Sequence, residues 1–379
     1  MLFERKLNSN ITKNLFKGKI LLIYGARQVG KTTLVKNILK ENSKKKSLYL
    51  NADDFDVKNS FENAQNFDQL KSIIGNVELL IIDEAQRIKD IGLRLKMIHD
   101  NSKQLQIIVT GSSSFELAQS IHEPLTGRSL SYILYPLSLE EISENQLELK
   151  RNAHKLLQYG SYPGIINESN KDKQELLKEV TEQYLFKDVL EFSGIKKSEY
   201  LIKLLKLLAY QIGQTVSYHE IATSIGLDQT TVAKYIDLLE KSFVLFKLGS
   251  YSNNLRNEIK KNQKIYFYDL GIRNALINDF NEIELRPDLG HLWENLLVIE
   301  RLKHNSYRGE KPSYYFWKNY DQQEVDLIED WGRAKSLQCY EFKYKAKKSA
   351  KFPASFIENY PESSRLFIDQ NNVFELFDY

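Results

Sequence analysis

One short segment constrains this chain more than any other. Residues Gly25-Ala26-Arg27-Gln28-Val29-Gly30-Lys31-Thr32-Thr33 place two glycines, a lysine and two hydroxyl residues at the spacing G-x-x-x-x-G-K-[ST]. They follow an apolar β-branched run, Ile20–Tyr24, and open a helical pattern over Thr32–Glu41. A strand, a glycine turn and a helix in this order put backbone N–H groups around an anion at a helix N-terminus. In that context the segment is a phosphate-binding loop, and Gly25 through Thr33 are its candidate nucleotide-binding residues. Lys31 is expected to reach the β- and γ-phosphates and the Thr32 hydroxyl to ligate Mg²⁺, so ATP and Mg²⁺ are the expected cofactors. Arg27, inside the loop, is a candidate contact to the nucleotide or to a neighbouring chain.

The surrounding pattern is α/β. Strands are expected at Ile20–Tyr24, Ser47–Asn51, Leu79–Asp83 and Ile107–Gly111, each apolar on successive residues, as in a parallel sheet buried on both faces. Helical patterns alternate with them. The strand Leu79–Asp83 runs into two consecutive acids, Asp83 and Glu84. Strand ends of this kind face the ligand, so Asp83 is expected to hold Mg²⁺ and Glu84 to act as general base toward the attacking water. The next strand runs into hydroxyl residues, where Thr110 and Ser112 are both candidates to sense the γ-phosphate. Arg128, in Leu125-Thr126-Gly127-Arg128, is a candidate arginine finger, from the same chain or from a neighbour.

Length and composition bound the rest. The 379 residues suit two or three domains at roughly 100–200 residues each. Hydrophobic residues at 42% and charged residues at 27% are those of a globular chain with a sizeable core. No apolar run approaches the ~18 residues that span a bilayer, and the N-terminus has no basic-then-apolar pattern. A single cysteine, Cys339, excludes an internal disulfide framework and a cysteine-rich zinc site. A cytoplasmic protein with no membrane association is expected. The net charge of +3 neither advertises nor forbids a nucleic-acid partner.

After a helical stretch over 138–213, capped by Ser138 and Glu141, residues 214–251 read as two short helices and a β segment. Ser217 starts the first helix, Gly226 ends it, and Asp228 caps the second, Gln229–Lys241; Phe243–Tyr251 follows as a strand or wing. This is the pattern of a winged helix-turn-helix, with Gln229, Thr230 and Lys234 exposed toward DNA. The second helix carries few net positive charges, so packing or subunit contact is the competing role.

Near the C-terminus three pieces recur: Trp293-Glu294-Asn295 on a helix, Gln323–Ile328 as a strand, and Cys339–Lys343 as the next strand. Glu341 and Lys343 share one strand face. A hairpin turning near Trp331-Gly332 brings Asp326 beside Glu341. Asp326 and Glu341, with Glu294 as a third acid, are candidate Mg²⁺ ligands, and Lys343 a candidate to position water or stabilise charge. The competing reading is a solvent-facing hairpin of alternating charge. Lys343, Lys345, Lys347, Lys348 and Lys351 form a local basic run beside it.

Together these residues resemble the prokaryotic AAA+-type ATPases of the archaeal-ATPase-like group, which carry a C-terminal winged helix and a domain similar to PD-(D/E)XK nucleases. The resemblance rests on Gly25–Thr33, Leu79–Arg87, Val109–Ser114, Leu125–Arg128 with Tyr135–Ser138, Tyr266–Gly271, Glu294, Glu324-Val325-Asp326 and Glu341-Phe342-Lys343. Val325 stands where the motif that names the nucleases has proline. The resemblance implies a P-loop ATPase domain over 1–137, a helical connector or lid over 138–200, a winged helix over 201–252 and an α/β nuclease-like domain over 253–379. It implies ATP hydrolysis and suggests DNA processing or defence, in a homo-oligomer. Two rivals stand beside it: an ATP-gated binding or oligomerisation protein with a non-catalytic nuclease-like domain, and an ATP-dependent transcriptional regulator.

Overall fold

The computed structural model describes residues 3–111, 124–183, 198–252, 263–332, 337–345 and 351–377. Two compact units divide the chain: Leu2–Pro136 with Lys241–Phe243, and Leu137–Glu240 with Val244–Tyr379.

In the first unit the described elements are α1 (Leu7–Lys13), β1 (Ile20–Tyr24), α2 (Lys31–Glu41), β2 (Ser47–Asn51), α3 (Phe55–Asn63), α4 (Phe67–Ile74), β3 (Leu79–Asp83), α5 (Ile91–Asn101), β4 (Gln106–Gly111) and β5 (Ser129–Ile133). The strands form one sheet in the order β2-β3-β4-β1-β5, and every pairing is parallel. β1, β3 and β4 are buried at every residue, as expected of central strands covered by helices on both faces. β2 departs from that expectation. It lies at the sheet edge with one neighbour, and its residues are half-buried or exposed. Because all strands run the same way, the turns after β1, β3 and β4 gather at one edge, where ligands of such sheets bind.

The second unit contains α6 (Gln146–Tyr159), α7 (Asn170–Gln183), α8 (Ser198–Tyr210), β6 (Thr215–Val216), α9 (Tyr218–Ile225), α10 (Gln229–Lys241), β7 (Leu245–Ser250), β8 (Gln263–Phe267), α11 (Leu270–Ile277), α12 (Leu289–Arg308), β9 (Ser313–Lys318), β10 (Glu324–Asp330), β11 (Gln338–Phe342), α13 (Ala354–Asn359) and β12 (Ser364–Ile368). Its seven-stranded sheet runs β12-β11-β10-β9-β7-β8-β6. β7 pairs antiparallel with β8 and parallel with β9, so the strand that follows α9 and α10 belongs to the same sheet as the C-terminal strands. α9 and α10 are capped as their sequences predict. The Ser217 side chain accepts from the Glu220 N–H, Gly226 turns left-handed at φ 73°, and Asp228 accepts from the Thr231 N–H. Ile221, Ala222, Ile225, Val232, Ile236 and Leu239 are buried between them, while Leu238 is only half-buried.

α12 is the spine of this unit. From Leu292 to Asn305 all its residues are buried, polar ones included. Several of these polar groups have dedicated partners: Asn295 bonds the N–H and the carbonyl of Phe267 at 2.7 and 2.9 Å, and Arg301 pairs with both oxygens of Glu329 at 2.7 and 3.0 Å. Asp269 caps α11 and accepts from the Ser161 N–H, and Arg273 donates to the Ala209 carbonyl. Asp269, which lies in the quoted Tyr266–Gly271, and Arg273 are thus structural fasteners.

Candidate functional site

The phosphate loop joins β1 to α2. Gly30 caps the helix in a left-handed conformation (φ 99°) that a side chain would strain. Lys31 is buried, and its Nζ donates to the Gly25 and Ala26 carbonyls at 2.9 and 2.8 Å, which keeps the charge on the loop itself. Arg5 braces the loop from outside: it donates to the Val29 carbonyl and the Tyr135 carbonyl, both at 2.6 Å. No local motif marks Arg5, because its partners lie far along the chain.

Opposite the loop, the ends of β2, β3 and β4 meet at Asp83. Its Oδ2 accepts from the Thr32 hydroxyl and from the Tyr49 hydroxyl, each at 2.7 Å. Its Oδ1 accepts from Thr110, whose oxygen in turn accepts from the Glu84 N–H at 3.1 Å. Burial, then the bond to Asp83, pushes the Tyr49 phenol well above its ordinary range. Tyr49 is a member that sequence reasoning missed. Glu84 adopts a left-handed backbone (φ 53°, ψ 39°), an arrangement costing roughly 1–3 kcal/mol that tends to persist at functional sites. Its Oε2 accepts from Gln86 Nε2 at 2.6 Å. Ser112 lies outside the described residues.

Gly25 allows the loop's closest approach. A Cβ built there would stand 2.2 Å from the Leu134 carbonyl oxygen, a backbone atom on the neighbouring strand path. Gly25→Ala is expected to lower stability by about 1–3 kcal/mol through overpacking and to weaken nucleotide binding. Gly18→Ala is the control, since no atom lies within 4 Å of its Cβ position and its left-handed strain is remote from the loop. Thermal shifts with and without nucleotide check both; equal responses would remove the role given to Gly25.

The second site lies on one face of the C-terminal sheet. Asp326 and Glu341 are brought together by the antiparallel pairing of β10 and β11, whose register places Leu327 opposite Tyr340. Between Val325 and Ile328 the register of β10 against β9 slips, a bulge of the kind that re-aims a side chain. Carboxylate oxygens of Glu294, Glu324 and Asp326 lie within 4.8 Å of one another. Glu324 therefore joins the expected acids, in one cluster with Glu294 and Asp326. Glu341 instead pairs with Lys343 at 2.7 Å, with Lys343 3.6 Å from Asp326.

Lys264 was not anticipated. It is buried on β8 and pairs with Glu294 at 2.6 Å and with Glu324. Tyr266, two residues on and on the same strand face, also donates to Glu294 at 2.6 Å. The alternation Lys264, Tyr266 was visible in the sequence, but nothing there linked it to Glu294. Burial pushes Glu294 up, yet the Lys264 charge overrides it and holds this carboxyl at about 2. Asp326 goes the other way: burial, then the charges of Glu294 and Glu341, raise it well above the carboxylate range. Burial also raises Glu341. Its Oε2 is buried without a hydrogen-bond partner among the described residues, so a cation there would be satisfied by a ready oxygen. The four acids outnumber Lys264, Lys343 and the half-exposed Lys318, which reaches Glu324 at 3.3 Å.

Comparison with known proteins separates the two halves of the chain. Residues 17–143 match the family model described as an AAA domain. Residues 150–282 and 289–378 match two models described as domains of unknown function, DUF8612 and DUF4143. The uncharacterized protein Rv2008c of Mycobacterium tuberculosis is 27% identical over 331 residues, covering 86% of this chain and 71% of that one. The uncharacterized protein MJ1544 of Methanocaldococcus jannaschii is 25% identical over 358 residues, covering 88% and 78%. Among solved structures, the Aeropyrum pernix ORC1 protein in complex with DNA is similar at 13% identity and a TM-score of 0.31, over 74% of this chain and 93% of that one. AMPPCP-bound DnaA from Aquifex aeolicus is similar at 20% identity and a TM-score of 0.30, over 63% and 87%. Among the described residues no helix is long and apolar enough to cross a membrane.

Within the AAA domain the structure corrects one expectation. Arg128 cannot serve as a finger to its own chain's loop. It precedes β5, whereas the loop follows β1, and the two strands run parallel with Ile20 opposite Ser129. At ~3.3 Å per residue the five residues of β5 separate the Arg128 backbone from the loop's edge of the sheet by roughly 16 Å. Arg128 instead pairs with both oxygens of Asp100 at 2.8 and 3.0 Å and draws that carboxyl down to about 2.

Proposed function

We propose that this chain hydrolyses ATP in its AAA domain and couples that cycle to a DNA-contacting winged helix and a metal-dependent nuclease-like domain. The observation that carries the first part is the convergence of Thr32, Tyr49 and Thr110 on Asp83, facing a loop whose lysine is already seated on it. Thr32 and Asp83 would hold Mg²⁺, which supplies neutralising charge to the phosphates. Glu84 takes the proton of the attacking water, Lys31 binds phosphate, and Thr110 links Asp83 to the Glu84 backbone. Arg128 reaches a nucleotide only from a neighbouring copy, the role it would have in a homo-oligomer.

In the second site Glu294, Glu324, Asp326 and Glu341 would hold Mg²⁺, which supplies an acidified water. Lys343, half-exposed beside Glu341 and Asp326, stabilises the charge that builds on a phosphodiester. Gln229, Thr230 and Lys234 are exposed on α10, where they would meet DNA. One observation favours a second reading, a gated binding protein without nuclease chemistry: Lys264 already stands as a cation between Glu294 and Glu324.

The test is incubation of the protein with single- and double-stranded DNA, Mg²⁺ and ATP beside Lys343→Ala. Cleavage by the wild type, reduced roughly 10²–10³-fold in the variant, is the expected result. ATP turnover with no cleavage of any substrate would overturn the nuclease reading in favour of the second one.

A further inference from the structure

A cavity of about 410 Å³ is lined by α6, by the start of α12 and by the segments after β11 and β12. That volume is ordinary for a small-ligand site. One wall is a stripe of four basic residues on α6: Lys150, Arg151, His154 and Lys155. The helix explains the stripe. Its other face, Leu149, Ala153, Leu156 and Leu157, is buried in the core, so positions one and two residues away turn outward together. Two of the four are occupied: His154 pairs with Glu284 at 3.0 Å and Lys150 donates to Asn371 at 2.9 Å. Arg151 and Lys155 have no carboxylate partner among the described residues. Two unneutralised cations on the rim of one cavity concentrate positive potential there.

The floor is aromatic. Tyr344 is half-buried and meets Trp293 edge-on, with ring centroids 5.6 Å apart. Trp293 is almost fully buried, and its indole N–H has no acceptor among the described residues. A buried donor left unpaired is uncommon and costs about 1–3 kcal/mol. Inorganic phosphate would answer the wall but leave the floor unused. A purely apolar ligand would leave the cations unanswered. Trp293 directly precedes Glu294, and Tyr344 directly follows Lys343, so the cavity and the acid–lysine cluster draw on the same two segments of the chain.

We infer that this cavity binds one nucleotide unit, with its phosphate on Arg151 and Lys155, its base against Tyr344, and a base or sugar oxygen available to Trp293. Two sources share this chemistry: a free nucleoside monophosphate and the terminal nucleotide of a single strand. The inference rests on the proposed nuclease-like reading only in naming what a strand seated here would meet next.

The experiment measures binding to the full chain in EDTA, so no hydrolysis is involved, and in a Lys31→Ala background, which removes nucleotide binding at the phosphate loop. The probes are a fluorescein-labelled oligothymidylate by anisotropy, and thymidine monophosphate, inorganic phosphate and an oligoglutamate peptide by calorimetry. The variants are Arg151→Glu with Lys155→Glu, both exposed residues, and Tyr344→Ala. The charge variant is expected to weaken oligonucleotide binding at least tenfold and to flatten the dependence of log K on log salt by about 0.7, the slope for one phosphate contact on a single strand. Tyr344→Ala is expected to lose roughly five- to hundredfold, the effect of removing one stacking partner. Tight monophosphate binding assigns the cavity to free nucleotide; oligonucleotide binding alone assigns it to a strand end. Unchanged binding in both variants, or oligoglutamate and phosphate bound as tightly as the nucleotide probes, would overturn the inference. A nuclease assay that fails while this binding persists removes the hydrolytic reading and leaves the cavity's assignment standing. An unchanged thermal transition of the charge variant by tryptophan fluorescence confirms that the fold of this unit is retained, since all three tryptophans lie in it.

Discussion

Glu84→Gln is expected to leave ATP bound and to slow its hydrolysis by roughly 10²–10⁴-fold, the usual contribution of a positioned general base. The geometry separates the two adjacent acids. Both oxygens of Asp83 are engaged, with Thr32 and Tyr49 on one and Thr110 on the other. A carboxylate so occupied is suited to orienting a metal and its loop. Glu84 has one oxygen on Gln86, and its other oxygen has no hydrogen bond among the described residues. Glutamine keeps the shape and the left-handed turn while removing the proton acceptor. Nucleotide affinity should therefore stay within a few-fold of wild type while single-turnover hydrolysis collapses. Lys31→Ala should do the reverse and lose binding itself. Hydrolysis at the wild-type rate in Glu84→Gln would reassign the base; loss of binding would make Glu84 a structural residue.

The N-terminal sheet was legible because its signals are local. Each buried parallel strand is a short apolar run, and the phosphate loop carries its chemistry in nine consecutive residues. Asp83, Glu84 and Thr110, the last with Ser112 as its alternative, could be nominated from the sequence because strand ends in such a sheet point to one edge. Arg5 and Tyr49 were not, since an arginine on a loop's outer side and a tyrosine on an edge strand look like any others until the sheet order is known. Arg128 shows the converse failure. Its motif is local, but its use depends on which end of β5 it occupies, and that is a property of the pairing. In the C-terminal site the alternation Glu341, Lys343 and the hairpin to Asp326 could be read from period two. Lys264 could not be read, because its partners Glu294 and Glu324 come from a helix and from a strand separated from β8 by β9 and β7 in the sheet, and only the fold brings these side chains together.

Lys264 also decides what the second site is. Lys264→Met keeps most of the side-chain volume and deletes the charge between Glu294 and Glu324. Breaking a buried pair in this way costs about 3–5 kcal/mol, because the partner charges stay buried and uncompensated. At roughly 2–4 °C per kcal/mol for a unit of this size, the melting temperature should fall by about 6–20 °C. All three tryptophans, Trp293, Trp317 and Trp331, belong to the C-terminal unit, so their fluorescence reports its unfolding alone. If the four carboxylates are a cation site, Mg²⁺ should restore much of the loss. A ligand at about a hundred times its dissociation constant contributes about 2.7 kcal/mol. The wild type should respond less, because Lys264 competes for the same oxygens. A variant destabilised as expected but indifferent to Mg²⁺ would remove the metal from the site. Lys264 would then be its permanent cation, and the domain a binding module gated by the ATPase.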